Sequence, residues 1–135
     1  FEVYDAIPHN AALMRQVGVG VSINTDVWVM GGRLFVDAAK AVRYGGLSPE
    51  EALITVTLEP ARQLGVEHRL GSLEPGKDAD FVIWSASPLS SYTRCEQTWI
   101  DGRRYFDLET DAVHRDHIQR QKARIIQRIL SEDES

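Results

Sequence analysis

The amino-acid sequence predicts an α/β fold, and two patterns along the chain support that prediction. In the first half, segments with helical spacing flank a segment whose residues alternate in polarity as in a strand. In the second half, short strand-like runs separated by turn residues precede a long segment with helical spacing. The first pattern is typical of a β/α unit, and the second predicts a small sheet followed by a C-terminal helix.

The first half supplies a helix, a strand and a second helix, in that order. Residues 8–16 favour a short helix, since a proline is tolerated in the first helical turn. Valine and isoleucine then alternate with small and polar residues, which predicts a strand from Val19 that ends at Asp26. A loop is predicted at residues 27–32, and the next helix ends at the Gly45–Gly46 pair. The apolar face of that helix is formed by Leu34, Ala38 and Val42.

A third helix begins at Ser48. Ser48 can cap this helix, Pro49 suits its first position, and Glu51 stands where a capping box needs a glutamate. One further helical turn is predicted at residues 60–64, where Gly65 ends it.

Strand-forming runs lie further along the chain. Phe81–Trp84 follows a turn, and its length and apolar character are those of a short buried strand. Arg94–Ile100 alternates in polarity and leads into Asp101–Gly102. That pair is a strong signal for a type I′ hairpin, because both central residues of the turn need positive φ. Arg103–Phe106 then returns as the other strand of the hairpin.

From about Thr110 the chain has helical spacing. Ile118, Ile125 and Ile129 fall on one stripe, which we expect to dock on the rest of the protein. Residues 131–135 are acidic, and acidic charge at a helix C-terminus is unfavourable, so we expect the helix to fray there.

Composition and charge exclude several classes of protein. The chain has 135 residues and a net charge of −5, which argues against a nucleic-acid binder. No apolar run approaches the ~18 residues of a membrane span, and the composition is that of a soluble globular protein. The lone Cys95 excludes an intrachain disulfide. The chain begins at Phe1 rather than Met, so we expect upstream sequence and any signal peptide to be missing. Compartment and oligomeric state stay open.

An ordered set of short motifs resembles a known family. The motifs are Leu47–Leu53, Val56–Thr57, Pro60–Ala61, Leu64–Gly65, Gly71–Leu73, Gly76–Asp80 and Ile100–Gly102. Together they resemble the C-terminal part of the amidohydrolase superfamily, nearest to its imidazolonepropionase-like and dipeptidase-like members. The resemblance covers roughly residues 10–107.

The resemblance also implies a domain organisation. Residues 1–70 would be the last β/α unit of a (β/α)8 TIM-type barrel. Residues 71–107 would supply strands of a small composite β-sandwich domain, and residues 108–135 would form a C-terminal helix with an acidic tail. In this family the Gly76–Asp80 motif is structural, so its charged residues receive no catalytic role.

Asp26 is the residue to which the resemblance assigns chemistry. In the family the eighth barrel strand ends in a metal-site aspartate, and that position maps to Asp26, which makes it the candidate catalytic residue and metal ligand. Active sites of such barrels lie at the C-terminal ends of the strands. A carboxylate there could bind the ion and accept a proton from metal-bound water. The alternative is that Asp26 only caps a turn or the following helix.

The activity implied by the resemblance is hydrolysis of a carbon–nitrogen bond through metal-bound hydroxide. The substrate would be a small molecule, either a cyclic amide or a peptide-like compound. The implied cofactor is a divalent metal, zinc first, with one or two ions left open; no other cofactor site is indicated. The family's other ligands, among them a His-x-His pair, are absent from this sequence. The fragment alone is therefore expected to be inactive.

Two other interpretations stay open. The chain could be a stand-alone interaction module that kept the small β-domain and lost the chemistry. Alternatively, the parent protein could be a catalytically silent relative with a structural role. A His-x-His pair upstream would favour the enzyme, and its absence would favour the silent relative.

The remaining titratable and glycine residues give weaker indications. His114 and His117 stand three apart on a helix and could chelate a metal, but solvated histidines on a charged helix are far more common. Outside that helix, the weaker candidates are Glu2, Asp5, His9, Gly31, Gly32 and His68.

Overall fold

A computed structural model describes residues 7–26 and 33–133. Within these residues the helices are α1 (Asn10–Gln16), α2 (Leu34–Gly45), α3 (Pro49–Ile54), α4 (Leu58–Gln63) and α5 (Leu108–Asp133). The strands are β1 (Phe81–Trp84), β2 (Cys95–Ile100) and β3 (Arg103–Asp107). The α/β class is confirmed. Glu2, Asp5 and the loop predicted at 27–32, with Gly31 and Gly32, lie outside the described residues.

The start of α3 confirms the predicted capping box. The Ser48 hydroxyl accepts a hydrogen bond from the Glu51 amide (3.2 Å), and the Ser48 amide donates to the Glu51 carboxylate (2.8 Å). The bond from the Ser48 amide, together with the nearby Ser48 hydroxyl, favours the charged carboxylate and lowers the pKa of Glu51. The turn predicted at 60–64 is α4, which begins earlier, at Leu58.

The strand predicted from Val19 to Asp26 is not formed among the described residues, so that prediction was wrong for this chain. The segment 19–26 makes no strand ladder. Instead, the Ile23 amide donates to the carbonyl of Thr55, at the end of α3 (3.0 Å). A strand needs a hydrogen-bonded neighbour. Among the described residues, this segment lies beside helices rather than strands, so its backbone forms hydrogen bonds with the helical residues instead.

Small side chains form the core between the helices. Ala12 of α1, Ala41 of α2 and Leu47 make one buried cluster, with Ala11 and Ile23 packed against it. Alanine lets helix backbones approach closely, and the approach leaves no room at Gly45. A Cβ there would lie 2.7 Å from the Cβ of Ala12.

The strands form one antiparallel sheet in the order β1-β2-β3. Asp101 (φ 50°) and Gly102 (φ 69°) turn the hairpin between β2 and β3 with positive φ at both central residues, as predicted. The rings of Phe81 and Trp99 stack across β1 and β2 with centroids 5.4 Å apart. Trp84 contacts Phe35 of α2 edge-on, with centroids 5.0 Å apart, and so joins sheet and helices.

Helix α5 is tied to the fold at its first turn. Asp107 accepts hydrogen bonds from the Thr110 amide (3.0 Å) and hydroxyl, and the amide bond in particular lowers the pKa of Asp107. Beyond this start the isoleucine stripe is exposed, with Ile118, Ile125 and Ile129 at 59%, 57% and 53% of full exposure. The described residues therefore do not supply the docking surface that we expected for this stripe. In the described residues, no helix is both long and apolar enough to cross a bilayer.

Candidate functional site

Asp26 ends the segment 19–26 in an unusual backbone conformation. Its φ is 43°, in the left-handed region, and its side chain is exposed. Among residues other than glycine, aspartate and asparagine are the ones that enter this region most readily. Asp26 thus has a left-handed backbone conformation, and its carboxylate is accessible to solvent and ligands.

Three hydrogen bonds tie the segment before Asp26 to α3 and α4. The Ile23 amide donates to the carbonyl of Thr55 (3.0 Å). The side-chain amide of Gln63 donates to the carbonyl of Gly20 (3.3 Å), and its oxygen accepts from the Ser22 hydroxyl (2.8 Å). Gln63 lies 41 residues from Ser22, and nothing in the local sequence pattern indicates this contact. Gln63 is therefore a residue of the site that the sequence pattern does not predict.

The end of α3, which accepts the hydrogen bond from the segment, is held in place by burial and by a hydrogen bond of its own. Thr55 is fully buried, and its hydroxyl donates to the carbonyl of Ala52 (2.6 Å). At Gly20 the segment passes so close to α4 that an added Cβ would overlap the Glu59 carboxylate. A larger residue at position 20 would require the Glu59 carboxylate, at the end of a flexible side chain, to move aside.

The charged residues of the Gly76–Asp80 motif have partners that account for them structurally. Asp78 forms an ion pair with Arg69 (2.6 Å). Lys77 is largely buried and donates to the Ser72 hydroxyl (2.6 Å). The Ser72 hydroxyl in turn donates to Glu74, and this bond, with the nearby Lys77 ammonium, lowers the pKa of Glu74. These contacts agree with the structural role that we expected.

The histidines do not join Asp26. His9 precedes α1, His68 lies in the loop after α4, and both are exposed. His114 and His117 are exposed on α5. In the described part of the chain, no three or more histidine, cysteine or acidic side chains are grouped to hold a metal ion.

A metal ion would find one suitable ligand here. The Asp26 carboxylate offers oxygen, which zinc accepts as a ligand, and it is exposed and free of strand pairing. Zinc sites use three or more protein ligands. Asp26 fits such a site as one member of a set whose other members would have to come from outside residues 7–26 and 33–133.

Comparison with known proteins gives a consistent result over most of the chain. The sequence pattern described as the Amidohydrolase family matches residues 5–107, so α5 begins directly after the match. An imidazolonepropionase from Legionella pneumophila (strain Corby) is 35% identical over 102 residues, which cover 65% of this chain and 25% of that protein.

Solved structures show the same similarity. An amidohydrolase from Thermotoga maritima MSB8 aligns with a TM-score of 0.73 and 37% identity, over 79% of this chain and 28% of that one. An adenosine deaminase from Xanthomonas campestris, solved with bound zinc, aligns with a TM-score of 0.58 and 25% identity, over 85% of this chain and 34% of that one. The chain thus spans about a third or less of these proteins.

Proposed function

Because the chain belongs to the amidohydrolase family, we propose that it is the C-terminal part of a metal-dependent hydrolase that cleaves a carbon–nitrogen bond. The substrate in this proposal is a small cyclic amide or a peptide-like molecule. The similarity to an imidazolonepropionase supports the cyclic class. In the whole protein, residues 1–70 would end the barrel, residues 71–107 would belong to the small β-domain, and residues 108–135 would follow as a helix and tail.

The observation that carries the proposal is the conformation of Asp26. Its carboxylate is exposed on a residue of left-handed backbone conformation, at the end of a segment that is hydrogen-bonded to α3 and α4. A proton-transfer group must reach the substrate and hold a fixed position, and these two features meet both needs. Asp26 would take the proton from the attacking water and pass it to the leaving nitrogen.

The proposed cofactor is zinc, with Asp26 as one of its ligands. The bound zinc in the similar adenosine deaminase supports this choice of metal. When bound, the ion would make a water nucleophilic at neutral pH by lowering the pKa of that water. The position of Asp26 would determine how well its carboxylate binds the ion and accepts the proton.

The test is Asp26→Asn in the longer protein that carries this chain. Asparagine keeps the size of the side chain and also enters the left-handed region, so folding should be little changed. The substitution removes the negative charge and the basicity, so kcat should fall by at least ~10²-fold. Turnover would be followed on an imidazolone, an N-acylated amino acid and a dipeptide, with zinc content measured alongside.

Asp78→Asn is the matched control, because Asp78 has the same chemistry and pairs with Arg69. Its kcat should stay near that of the unmodified protein. Near-normal turnover in Asp26→Asn with zinc still bound would remove Asp26 from the reaction.

A further inference from the structure

Gln63 contacts the segment before Asp26 at two points that are two residues apart. Its nitrogen donates to the Gly20 carbonyl, and its oxygen accepts from the Ser22 hydroxyl. The Gly20 carbonyl can only accept a hydrogen bond, so it orients the amide and leaves the oxygen facing Ser22. The two contacts together form a bidentate grip on the segment.

This grip distinguishes the observed register of the segment against α4 from registers that are shifted by one residue. A slip by one residue would bring Val21 or Ile23 to the place of Ser22, and neither side chain can donate a hydrogen bond. It would also replace Gly20 with valine, whose Cβ would push the flexible Glu59 carboxylate aside. Of these registers, only the observed one gives Gln63 a hydroxyl donor and leaves Glu59 in place.

We propose that Gln63 is a positioning residue: by holding Gly20 and Ser22 it sets the register of the segment and so the place of the Asp26 carboxylate. The proposal rests on the proposed function of Asp26. Asp26 lies four residues beyond Ser22, so each residue of slip would displace the carboxylate by up to about 3.3–3.6 Å along the chain. Misplacement of a catalytic group by ~1 Å can lower a rate by ~10²-fold.

Because Gln63 is exposed, its effect on the position of the segment can be separated from its effect on the stability of the chain. Its side chain is accessible to water and lies outside the buried cluster of Ala12, Ala41 and Leu47. Loss of its two hydrogen bonds should therefore release the segment without unfolding the chain. This makes it possible to measure the two effects separately.

The first experiment uses the 135-residue chain and amide NMR. Gln63→Leu should shift the amide resonances of Gly20 to Asp26 and lower their protection from hydrogen exchange. The control is Thr57→Val, which removes a side-chain bond to Leu53 (2.8 Å) at the junction of α3 and α4 without touching the segment. That control should leave resonances 20–26 in place. Unchanged resonances at 20–26 in Gln63→Leu would overturn the grip, whatever Asp26 does.

The second experiment uses the longer protein and measures kcat, KM and zinc affinity. Gln63→Leu should lower kcat by ~10-fold to ~10²-fold and weaken zinc retention, with KM and the unfolding midpoint nearly unchanged. Ser22→Ala should do less, and the double variant should match Gln63→Leu, because both residues act through one contact.

The outcomes separate the two proposals. If Asp26→Asn is inactive while Gln63→Leu keeps full kcat and zinc affinity, the positioning role is wrong and the role of Asp26 stands. If Asp26→Asn is active, the proposed function fails, and the NMR experiment still decides whether Gln63 sets the register.

Discussion

The amide of Asp101 donates a hydrogen bond to the Asp80 carboxylate over 2.8 Å, and so joins the loop before β1 to the turn of the β2–β3 hairpin. The neighbouring Gly102 amide donates to the carbonyl of Ala79 (3.1 Å). The left-handed conformation of Asp101 leaves its amide outside the strand ladder, where it needs another acceptor. Asp80 supplies that acceptor, which gives this acidic residue a structural task.

Asp80→Ala should therefore destabilise the chain. A hydrogen bond to a charged acceptor contributes ~1.5–3 kcal/mol, and the exposed setting places the loss at the low end of that range. Asp80→Asn keeps an acceptor oxygen and should lose less. Urea unfolding of both variants measures the difference, and equal free energies of unfolding for the two would contradict the role.

Two glycines with similar φ should respond differently to alanine. A Cβ added at Gly65 (φ 71°) would lie in open space. Gly65→Ala should therefore lower the free energy of unfolding by about 1–2 kcal/mol, for the left-handed conformation alone. Gly71 (φ 89°) would place a Cβ 2.8 Å from the Cβ of Ala61 and 2.9 Å from the Cα of Leu58. Gly71→Ala should therefore lose a further ~1–3 kcal/mol through overpacking. Thermal unfolding of the two variants side by side tests the order.

The capping box at α3 predicts a pH dependence. The pKa of Glu51 is lowered from its ordinary value of 4.5, chiefly by the hydrogen bonds to Ser48. A lowered pKa in the folded state means that the contribution to stability is complete above the unfolded value. The contribution is lost as the pH falls from about 4.5 through the folded pKa.

Ser48→Ala removes the bond to the cap side chain and should cost about 1 kcal/mol at neutral pH. It should also move the pKa of Glu51 back towards 4.5, as followed by NMR titration. A pKa for Glu51 that is unchanged in Ser48→Ala would show that the backbone amide of residue 48, which the substitution keeps, sets it alone.

The exposed stripe of α5 should tolerate polar substitution in this chain. Ile125→Ser and Ile129→Ser remove side chains that are more than half exposed, so each should change the free energy of unfolding by ~0.5 kcal/mol or less. Leu47→Ala is the buried comparison, at 8% exposure, and should cost about 2–5 kcal/mol. A large loss in the α5 variants would mean that a partner, such as a second copy, covers the stripe, which sedimentation would then reveal.

The chain by itself should not retain zinc. Asp26 supplies one carboxylate, and structural or catalytic zinc sites need at least three protein ligands. Dialysis against metal-free buffer should leave less than one zinc per chain. Stoichiometric retention would require a ligand set that the described residues do not form.

The features predicted correctly from the sequence are those that depend on neighbouring residues. The strand at Phe81–Trp84, the Asp101–Gly102 turn and the Ser48 cap are each determined within a few positions, and the structure confirms them. The burial predicted for that strand was wrong, because Val82 and Ile83 are each 39% exposed. The segment ending at Asp26 was predicted as a strand because its alternation fits one. A strand also needs a partner, and no sequence pattern shows whether the partner is present. The Ser22–Gln63 contact joins distant residues, so local periodicity could not predict it.

The separation of 41 residues between Ser22 and Gln63 also bears on the order of folding. Helix α5 closes only local hydrogen bonds, and a helix of about 20 residues forms within ~1 μs. The grip on Ser22 must wait until α3 and α4 are formed and a long loop has closed around α2, which slows the step. We expect Asp26 to reach its final position late, when most of the chain is already native. A late folding intermediate would then contain the helices and the sheet, with the Asp26 carboxylate not yet in its final position.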